Sequence, residues 1–373
     1  MGRAGAGGST SVTLSIRLRT LDLPLRDPFV IARAAPGEGR RTTTVLVELR
    51  DEADGPDGPA GIGEGYPNAY YGETPATMAA LAPLLLDALQ PVERDLHGSL
   101  DDVRAGLEDA GGLMAAAIGH HGAIKCAIDI ALHDLAGKRL RIPVRDVLGL
   151  TGELPPTDFT LGIDEPAVVA ERARRAGDFP ALKIKVGGPA DIETLEAVRS
   201  VYPGPLRVDA NTGWTPEGAL ALLPDLVRLG VELIEQPFPA RRLDQLGWLQ
   251  QRTDLPIVAD ESAVTIEDLD ALVGVVAGVN VKLAKCGGMG PARRMLERAQ
   301  ALGFRTFLGC MEETSIGIAA SASVASLAEW VDLDGCLLLA EDPVTGLDLG
   351  PDKRWRLSDR PGLGLELLGA TGL

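Results

Sequence analysis

The sequence predicts an α/β protein whose larger part is a modified TIM barrel, (β/α)7β, joined to an α+β domain made from the N-terminal region and the C-terminal tail. Three observations carry this. Between residues 158 and 334, eight short β-prone runs alternate with seven helical stretches, many of them about 15 residues long, which is barrel arithmetic. Three consecutive runs end on a carboxylate, Asp209, Glu235 and Asp260, 26 and 25 residues apart and so near one strand-plus-helix repeat. Ahead of the alternation, residues 1–150 show a strand-rich start and then long helical patterns.

In chain order, Met1–Ser9 is Gly- and Ala-rich without an apolar segment, so a disordered start is expected rather than a signal peptide. Val12, Leu14, Ile16 and Leu18 alternate as in a half-buried strand over 11–21. The β-branched run 42–49 makes a second strand, a Gly/Pro/Asp turn spans 51–59, and 60–64 returns as a third, completing an antiparallel meander. Two connections, Arg26–Arg41 and Tyr66–Ala76, are long and carry aromatics. They suit lids over a site or ordinary surface loops. Helices are predicted at 77–90, 100–108 and 115–138, the last from apolar residues at Ile124, Ala127, Ile128, Ala131 and Leu135. Residues 143–149 close the first domain.

The predicted barrel strands are 158–162, 180–186, 206–210, 231–235, 256–260, 279–283, 304–308 and 330–334, within a barrel domain of 151–345. A doubly wound sheet would need a phosphate-binding glycine loop after its first strand, and Leu161-Gly162-Ile163-Asp164 is not one. Residues 346–373 are expected to return to the first domain.

Composition narrows the function. A net charge of −17 over 373 residues excludes a basic nucleic-acid footprint. The cysteines Cys126, Cys286, Cys310 and Cys336 show no metal or redox spacing and suit a reducing compartment. His120-His121 cannot share a helix face, so no two-histidine metal site is expected there. No run of 18 apolar residues occurs.

The chemistry concentrates at strand ends. Lys183 and Lys185, two apart in a strand, share a face, and two buried ammonium groups demand anions. Asp209, Glu235 and Asp260 supply them, and three hard oxygen ligands on adjacent strands suit Mg²⁺. In the sixth strand Lys282 shares a face with Asn280, whereas Lys285 has the opposite parity and falls in the turn, so Lys282 is placed in the barrel mouth. Strands two and six lie opposite each other, which puts a lysine on each side of a metal-bound group. Asp332 and Asp334 share a face of the last strand; two inward carboxylates call for a cation, and a substrate ammonium is the natural candidate. Taken singly, a Lys-x-Lys is usually a solvated edge and a strand-end Asp a helix cap. Their joint occurrence in register with the βα units points to a site.

These residues resemble the enolase superfamily, in its muconate-lactonizing-enzyme-like subgroup. The resemblance covers nearly the whole chain: the helix Cys126–Lys138, Lys183-x-Lys185, Asp209-x-Asn211, Glu235-Gln236-Pro237, Asp260-Glu261-Ser262 and Lys282. Three further stretches are similar to dipeptide epimerases, including the L-Ala-D/L-Glu type: Pro28–Arg33, Tyr71–Thr74, and Gly309–Ser315 together with Asp332–Gly335. The resemblance implies that the first domain caps the barrel, and that its two loops read the substrate side chains. One Mg²⁺ per active site is implied on Asp209, Glu235 and Asp260, with Asn211 and Glu261 behind the metal ligands. It also implies that Asp332 and Asp334 bind a dipeptide's α-ammonium group, and that Tyr71, Met311 and Glu312 contact the substrate. Arg33 is expected either to pair with a substrate carboxylate or to be a solvated loop residue. The runs Tyr66–Tyr70 and Ala34–Pro36 depart from the Ala-Glu type, which leaves the second residue of the dipeptide open.

The expected reaction is a 1,1-proton transfer at the α-carbon of the C-terminal residue. The metal and Lys183 stabilise an enediolate, while Lys185 and Lys282 exchange the roles of base and acid. The acting base must titrate below the ordinary lysine value of about 10.4. Cycloisomerase, o-succinylbenzoate synthase and N-succinylamino acid racemase activities share the scaffold and are the alternatives; a non-catalytic binding barrel is the remote one. The expected setting is cytoplasmic, a homo-oligomer acting on a small molecule, with no nucleic acid or membrane partner.

Overall fold

The computed structural model describes residues 14–34, 38–93 and 95–368. Met1–Ser9 and Val12, read above as a disordered start and as part of a strand, lie outside the described residues, as do Ala35 and Pro36. Strands β1 (Leu14–Pro24), β2 (Arg41–Asp51) and β3 (Ala60–Gly65) form an antiparallel sheet in that order, with Leu18 opposite Val47 and Leu46 opposite Glu64. Helices α1 (Pro75–Leu89), α2 (Leu100–Ala117), α3 (Gly122–Leu140) and α4 (Val144–Leu148) follow. Thr74 and Ser99 start α1 and α2 through capping boxes, each satisfying free N–H groups of the first turn. One face of β2 (Val45, Val47, Leu49) packs with Met78, Leu85, Ile124 and Ile128 in a core of its own.

The helix boundaries differ from the sequence reading. α2 continues past Gly111 and Gly112 to Ala117, because Gly111 lies close against Pro291 and Arg294, and packing outweighs a glycine cost of about 1 kcal/mol. The chain then breaks at His120 and His121, both at positive φ (58° and 56°), so α3 starts at Gly122 rather than at Ala115. Residues 75–92 form one apolar stretch that reaches membrane-spanning length by composition, with 28% of it buried in the fold.

The barrel consists of β4 (Phe159–Leu161), α5 (Pro166–Arg175), β5 (Leu182–Lys185), α6 (Asp191–Arg199), β6 (Leu206–Asp209), α7 (Pro216–Arg228), β7 (Val231–Glu235), α8 (Leu243–Gln250), β8 (Ile257–Ala259), α9 (Leu269–Leu272), β9 (Gly278–Val281), α10 (Leu283–Cys286), α11 (Met289–Ala301), β10 (Arg305–Gly309), α12 (Ser315–Ala322) and β11 (Trp330–Asp332). The eight strands run parallel in sequence order. The barrel closes where Asp158 N–H donates to Val331 O at 3.0 Å. Its helices are shorter than the 15 residues expected, none exceeding 13; the rest of each repeat is loop at the barrel ends. The last strand stops at Asp332, and Asp334 starts the short helix α13 (Gly335–Leu338).

The tail adds hairpin-like pairs, β12 (Val344–Thr345) with β15 (Glu366–Leu367) and β13 (Asp348–Leu349) with β14 (Trp355–Arg356). It touches both parts of the molecule. Trp355 donates to Leu333 O, and Gly362 O and Leu363 N bond Val144 N and Asp134 Oδ1.

The two parts meet on α3. Gly61, Gly63 and Gly65 alternate along β3, and a Cβ at these positions would lie 2.0, 2.0 and 2.2 Å from the carbonyl oxygens of Ala131, Ala127 and Ala123. Two residues of strand advance roughly 6.7 Å and four residues of helix roughly 6 Å, so glycines every second residue match alanines every fourth. At the first residue of α3, next to Ala123, a Cβ on Gly122 would meet Lys285 O at 2.2 Å. Helix α3 is therefore clamped between the cap sheet and the barrel wall behind the site. Gly63→Ala should lower stability by about 1–3 kcal/mol, measured by denaturant unfolding; an unchanged midpoint would show that this contact can relax.

Candidate active site

The interior of the barrel is charged where most barrels are apolar. Lys183 is 1% exposed, and its Nζ lies 2.8 Å from Asp332 Oδ2, 2.8 Å from Glu235 Oε2 and 3.3 Å from Asp209 Oδ2. Burial works against its charge, but these carboxylates outweigh burial and hold its pKa well above the ordinary lysine value. Lys185 donates to Asp209 at 2.6 Å. Asp209 feels burial pushing it up, yet Lys185 and Lys183 keep it at about 2. Glu235 has the opposite balance: burial and the charge of Asp209 push it up to about 7.

Asp209, Glu235 and Asp260 stand on neighbouring strands or directly after them, buried, each with an oxygen within 4.8 Å of the others. This donor set fits a hard divalent cation. Glu235 Oε2 makes no hydrogen bond despite the nearby Lys183, and Asn211 Oδ1 and Glu261 Oε2 beside it are buried without partners. Buried polar atoms of native proteins are normally satisfied, so a cluster of unsatisfied oxygens around three carboxylates is what a cation site requires.

The cradle is fixed from outside. Asn280 Nδ2 donates to Glu235 Oε1 at 2.8 Å. Gln236, at φ 34°, accepts from the Asp260 and Ser262 amides. Asn211 and Thr212 also lie at positive φ, 40° and 69°; such conformations cost about 1–3 kcal/mol each and cluster at functional sites.

Lys282 follows β9 and donates to Asp260 Oδ2 at 2.9 Å. Its pKa is raised, with Asp260 overcoming the effect of burial. The reason is that the cradle's carboxylates face the ammonium directly; the downward shift expected of the acting base relies on a metal sharing the cradle's charge. Lys285 was assigned to the turn and away from the site. It is indeed outside the cavity lining, but the one-turn helix α10 swings it back beneath the cradle. There its fully buried Nζ donates to Asp260 Oδ1 (2.5 Å), Asp260 O (2.6 Å), Ala263 O (2.9 Å) and Asn280 O (2.9 Å).

Asp332 and Asp334 line the cavity together although only Asp332 is in the strand. Thr160 ties both to β4, its hydroxyl donating to Asp332 and its amide to Asp334 at 2.6 Å. Asp158, which the sequence reading did not single out, lies behind them and pairs with Arg207 at 2.9 Å. Burial and the charge of Asp332 push Asp334 well above the usual carboxylate range, whereas Lys183 holds Asp332 down against burial.

Both cap loops reach this mouth. Phe29, Ile31, Arg33, Tyr66, Asn68 and Tyr71 line one cavity with Lys183, Lys185, Asn211, Asp260, Lys282, Met311, Glu312, Asp332 and Asp334. The first loop enters because Gly187 and Gly213 leave room: a Cβ on either would meet Ala32 Cβ at 2.6 or 2.7 Å. Arg33 donates to Glu261 at 2.5 Å and to Asn211 O at 3.2 Å, and stacks 4.4 Å from the Tyr70 ring. It is thus an internal latch between cap and barrel rather than a solvated residue. Glu64 on β3 accepts from Thr314 N and Gly317 N, fixing the loop that carries Met311 and Glu312.

A barrel whose mouth holds a three-carboxylate cation cradle between opposed lysines, covered by loops of a separate domain, defines a metal-assisted acid–base scaffold. The chain belongs to the mandelate racemase/muconate lactonizing enzyme family: residues 14–149 match the N-terminal domain of that family and 166–370 its enolase C-terminal-domain-like part. The chain is 37% identical to an L-Ala-D/L-Glu epimerase of Bacteroides thetaiotaomicron over 367 residues (97% of this chain, 89% of that one). It is 36% identical to an L-Lys-D/L-Arg epimerase of Methylococcus capsulatus over 364 residues (94% and 98%). A dipeptide epimerase from Enterococcus faecalis, solved with Mg and L-Leu-L-Tyr, superposes with a TM-score of 0.80 at 32% identity, covering 95% and 99% of the two chains.

Lys285→Met should weaken Mg²⁺ binding about 10- to 100-fold, as removal of groups that orient metal ligands does. Titration calorimetry on the folded variant measures it. Wild-type affinity would show that Lys285 does not hold Asp260 in place.

Proposed function

We propose that the protein is a Mg²⁺-dependent dipeptide epimerase that inverts the α-carbon of the C-terminal residue. The observation that carries this is the placement of Lys185, on the second barrel strand, and Lys282, after the sixth, with four strand steps between them in an eight-stranded barrel and the carboxylate cradle in the interval. A base and an acid on opposite faces of one carbon are what a 1,1-proton transfer needs. Lys183, beside Lys185, supplies a fixed cation where charge develops when the α-proton leaves. Mg²⁺ held by Asp209, Glu235 and Asp260 would neutralise the substrate carboxylate and compete with the lysines for the cradle's negative charge. With that charge shared, one lysine can act as a neutral amine while the other delivers a proton.

The amino-group end of the substrate is assigned to Asp332 and Asp334. Asp158 pairs with Arg207 and Asp332 with Lys183, and Lys183 is also shared with Asp209 and Glu235. Asp334 accepts from the Thr160 amide but pairs with no cation among the described residues, so an α-ammonium group arriving there would supply one and draw Asp334 into its charged form. Cycloisomerase and o-succinylbenzoate synthase substrates carry no α-ammonium for it, and in N-succinylated amino acids the α-nitrogen is acylated and uncharged. The relatives named above act on dipeptides, which supports the same reading. Four free cysteines suit the reducing cytoplasm, where we place the enzyme.

The test is incubation with Mg²⁺ and pooled L,L-dipeptides in D₂O. A mass increase of one unit in certain dipeptides, together with the D-epimer, and loss of both with a chelator, is the expected result. No shift in any pool would overturn the dipeptide reading.

A further inference from the structure

Among the described residues of the cavity lining, Glu312 is a charged group that meets no cation and that the reaction and ammonium assignments above leave without a role. Arg33 is held by Glu261, Lys183 and Lys185 by the cradle, Lys282 by Asp260, Asp332 by Lys183, and Asp334 by the Thr160 amide. Glu312 makes no ion pair among the described residues; the Tyr66 phenol, raised by burial, lies near enough to be raised further by the Glu312 charge. The residue is half-buried in the cavity wall.

Its position is set by the fold. Thr42 Oγ1 contacts Glu312 O at 3.4 Å, Glu64 holds the following turn, and a Cβ on Gly335 would press on Met311 O at 2.2 Å. A carboxylate kept in place and partly shielded from water, without a cation, is costly unless a ligand supplies one. The same cavity also has apolar lining from Phe29, Ile31, Met311 and Leu338. An apolar wall with a fixed carboxylate fits a long aliphatic stem with a cationic end, and it repels an acidic side chain.

We propose that the substrate is a dipeptide bearing a lysine or arginine side chain, whose cationic end pairs with Glu312 beside Tyr66. This rests on the dipeptide reading above.

The experiment measures kcat/KM of the Mg²⁺-loaded enzyme by α-deuterium uptake. The substrates carry Lys or Arg, Met or Gln, or Glu at either position of otherwise identical L,L-dipeptides. Wild type should favour the basic members over the neutral ones by about 10- to 100-fold, the size of one charge-assisted hydrogen bond. Glu312→Gln should collapse that ratio, and Glu312→Lys should turn it toward the Glu-containing members. A wild-type preference for neutral or acidic dipeptides, or a basic-to-neutral ratio unmoved in Glu312→Gln, would overturn the assignment while leaving the epimerase reading in place. Absence of uptake from every dipeptide would overturn both.

Discussion

A lysine ammonium with 1% exposure at the centre of a barrel is the constraint around which the rest of this protein is arranged. Lys183 cannot keep its charge there without anions, because an unpaired buried charge costs several kcal/mol. Asp209, Glu235 and Asp332 converge on it from three strands. Burial first, and then the charge of Asp209, push Glu235 up to about 7, and more cations follow: Lys185 and Lys282 in the cavity, Lys285 beneath it. The site is a charge lattice in which three buried carboxylates could hold a divalent cation, with Lys185 bonded to one of them and Lys282 to another.

The lattice works only if its lid and walls are held in register. Cap and barrel are joined by close backbone approach, with three glycines of β3 seated on three alanine carbonyls of α3 and the first residue of α3 against α10. Helix α10 carries Lys285, so the strip that fixes the cap is continuous with the groups that fix Asp260. Arg33 and Glu64 add polar ties from the two cap elements to the loops after β6, β8 and β10. Loop residues that could read a substrate are thereby mounted on rigid supports, which is how precise sites are built.

Much of this was legible in the sequence because strands report side-chain direction through a period of two. Lys183 with Lys185 and Lys282 with Asn280 follow that rule, and the strand-end carboxylates follow the βα repeat; the structure brings Lys183, Lys185, Asp260 and Lys282 to one cavity, with Asp209 and Glu235 packed against Lys183 and Asn280 bonded to Glu235. The rule fails where the backbone leaves the strand. Asp334 begins a helix, and its closeness to Asp332 comes from Thr160 across the barrel seam. Lys285 sits on a one-turn helix that reverses its direction. Asp158 gains its place only when the first strand meets the last. The seam contacts of Thr160 with Asp332 and Asp334 join residues 172 or more positions apart in sequence, and no local pattern encodes them; those of Lys285 are nearer, up to 25 positions away, but depend on the direction of its helix. The titration of Lys282 was likewise hidden, since it depends on the distance to Asp260.

The central claim is that Lys185 and Lys282 address opposite faces of one α-carbon. The most direct measurement follows α-hydrogen exchange in D₂O for Lys185→Ala and Lys282→Ala, each given the two pure epimers of an accepted dipeptide. Each variant should lose interconversion yet still exchange the α-hydrogen of one epimer, and the two variants should retain opposite epimers. Exchange of the same epimer by both variants, or epimerisation surviving in either, would contradict the account.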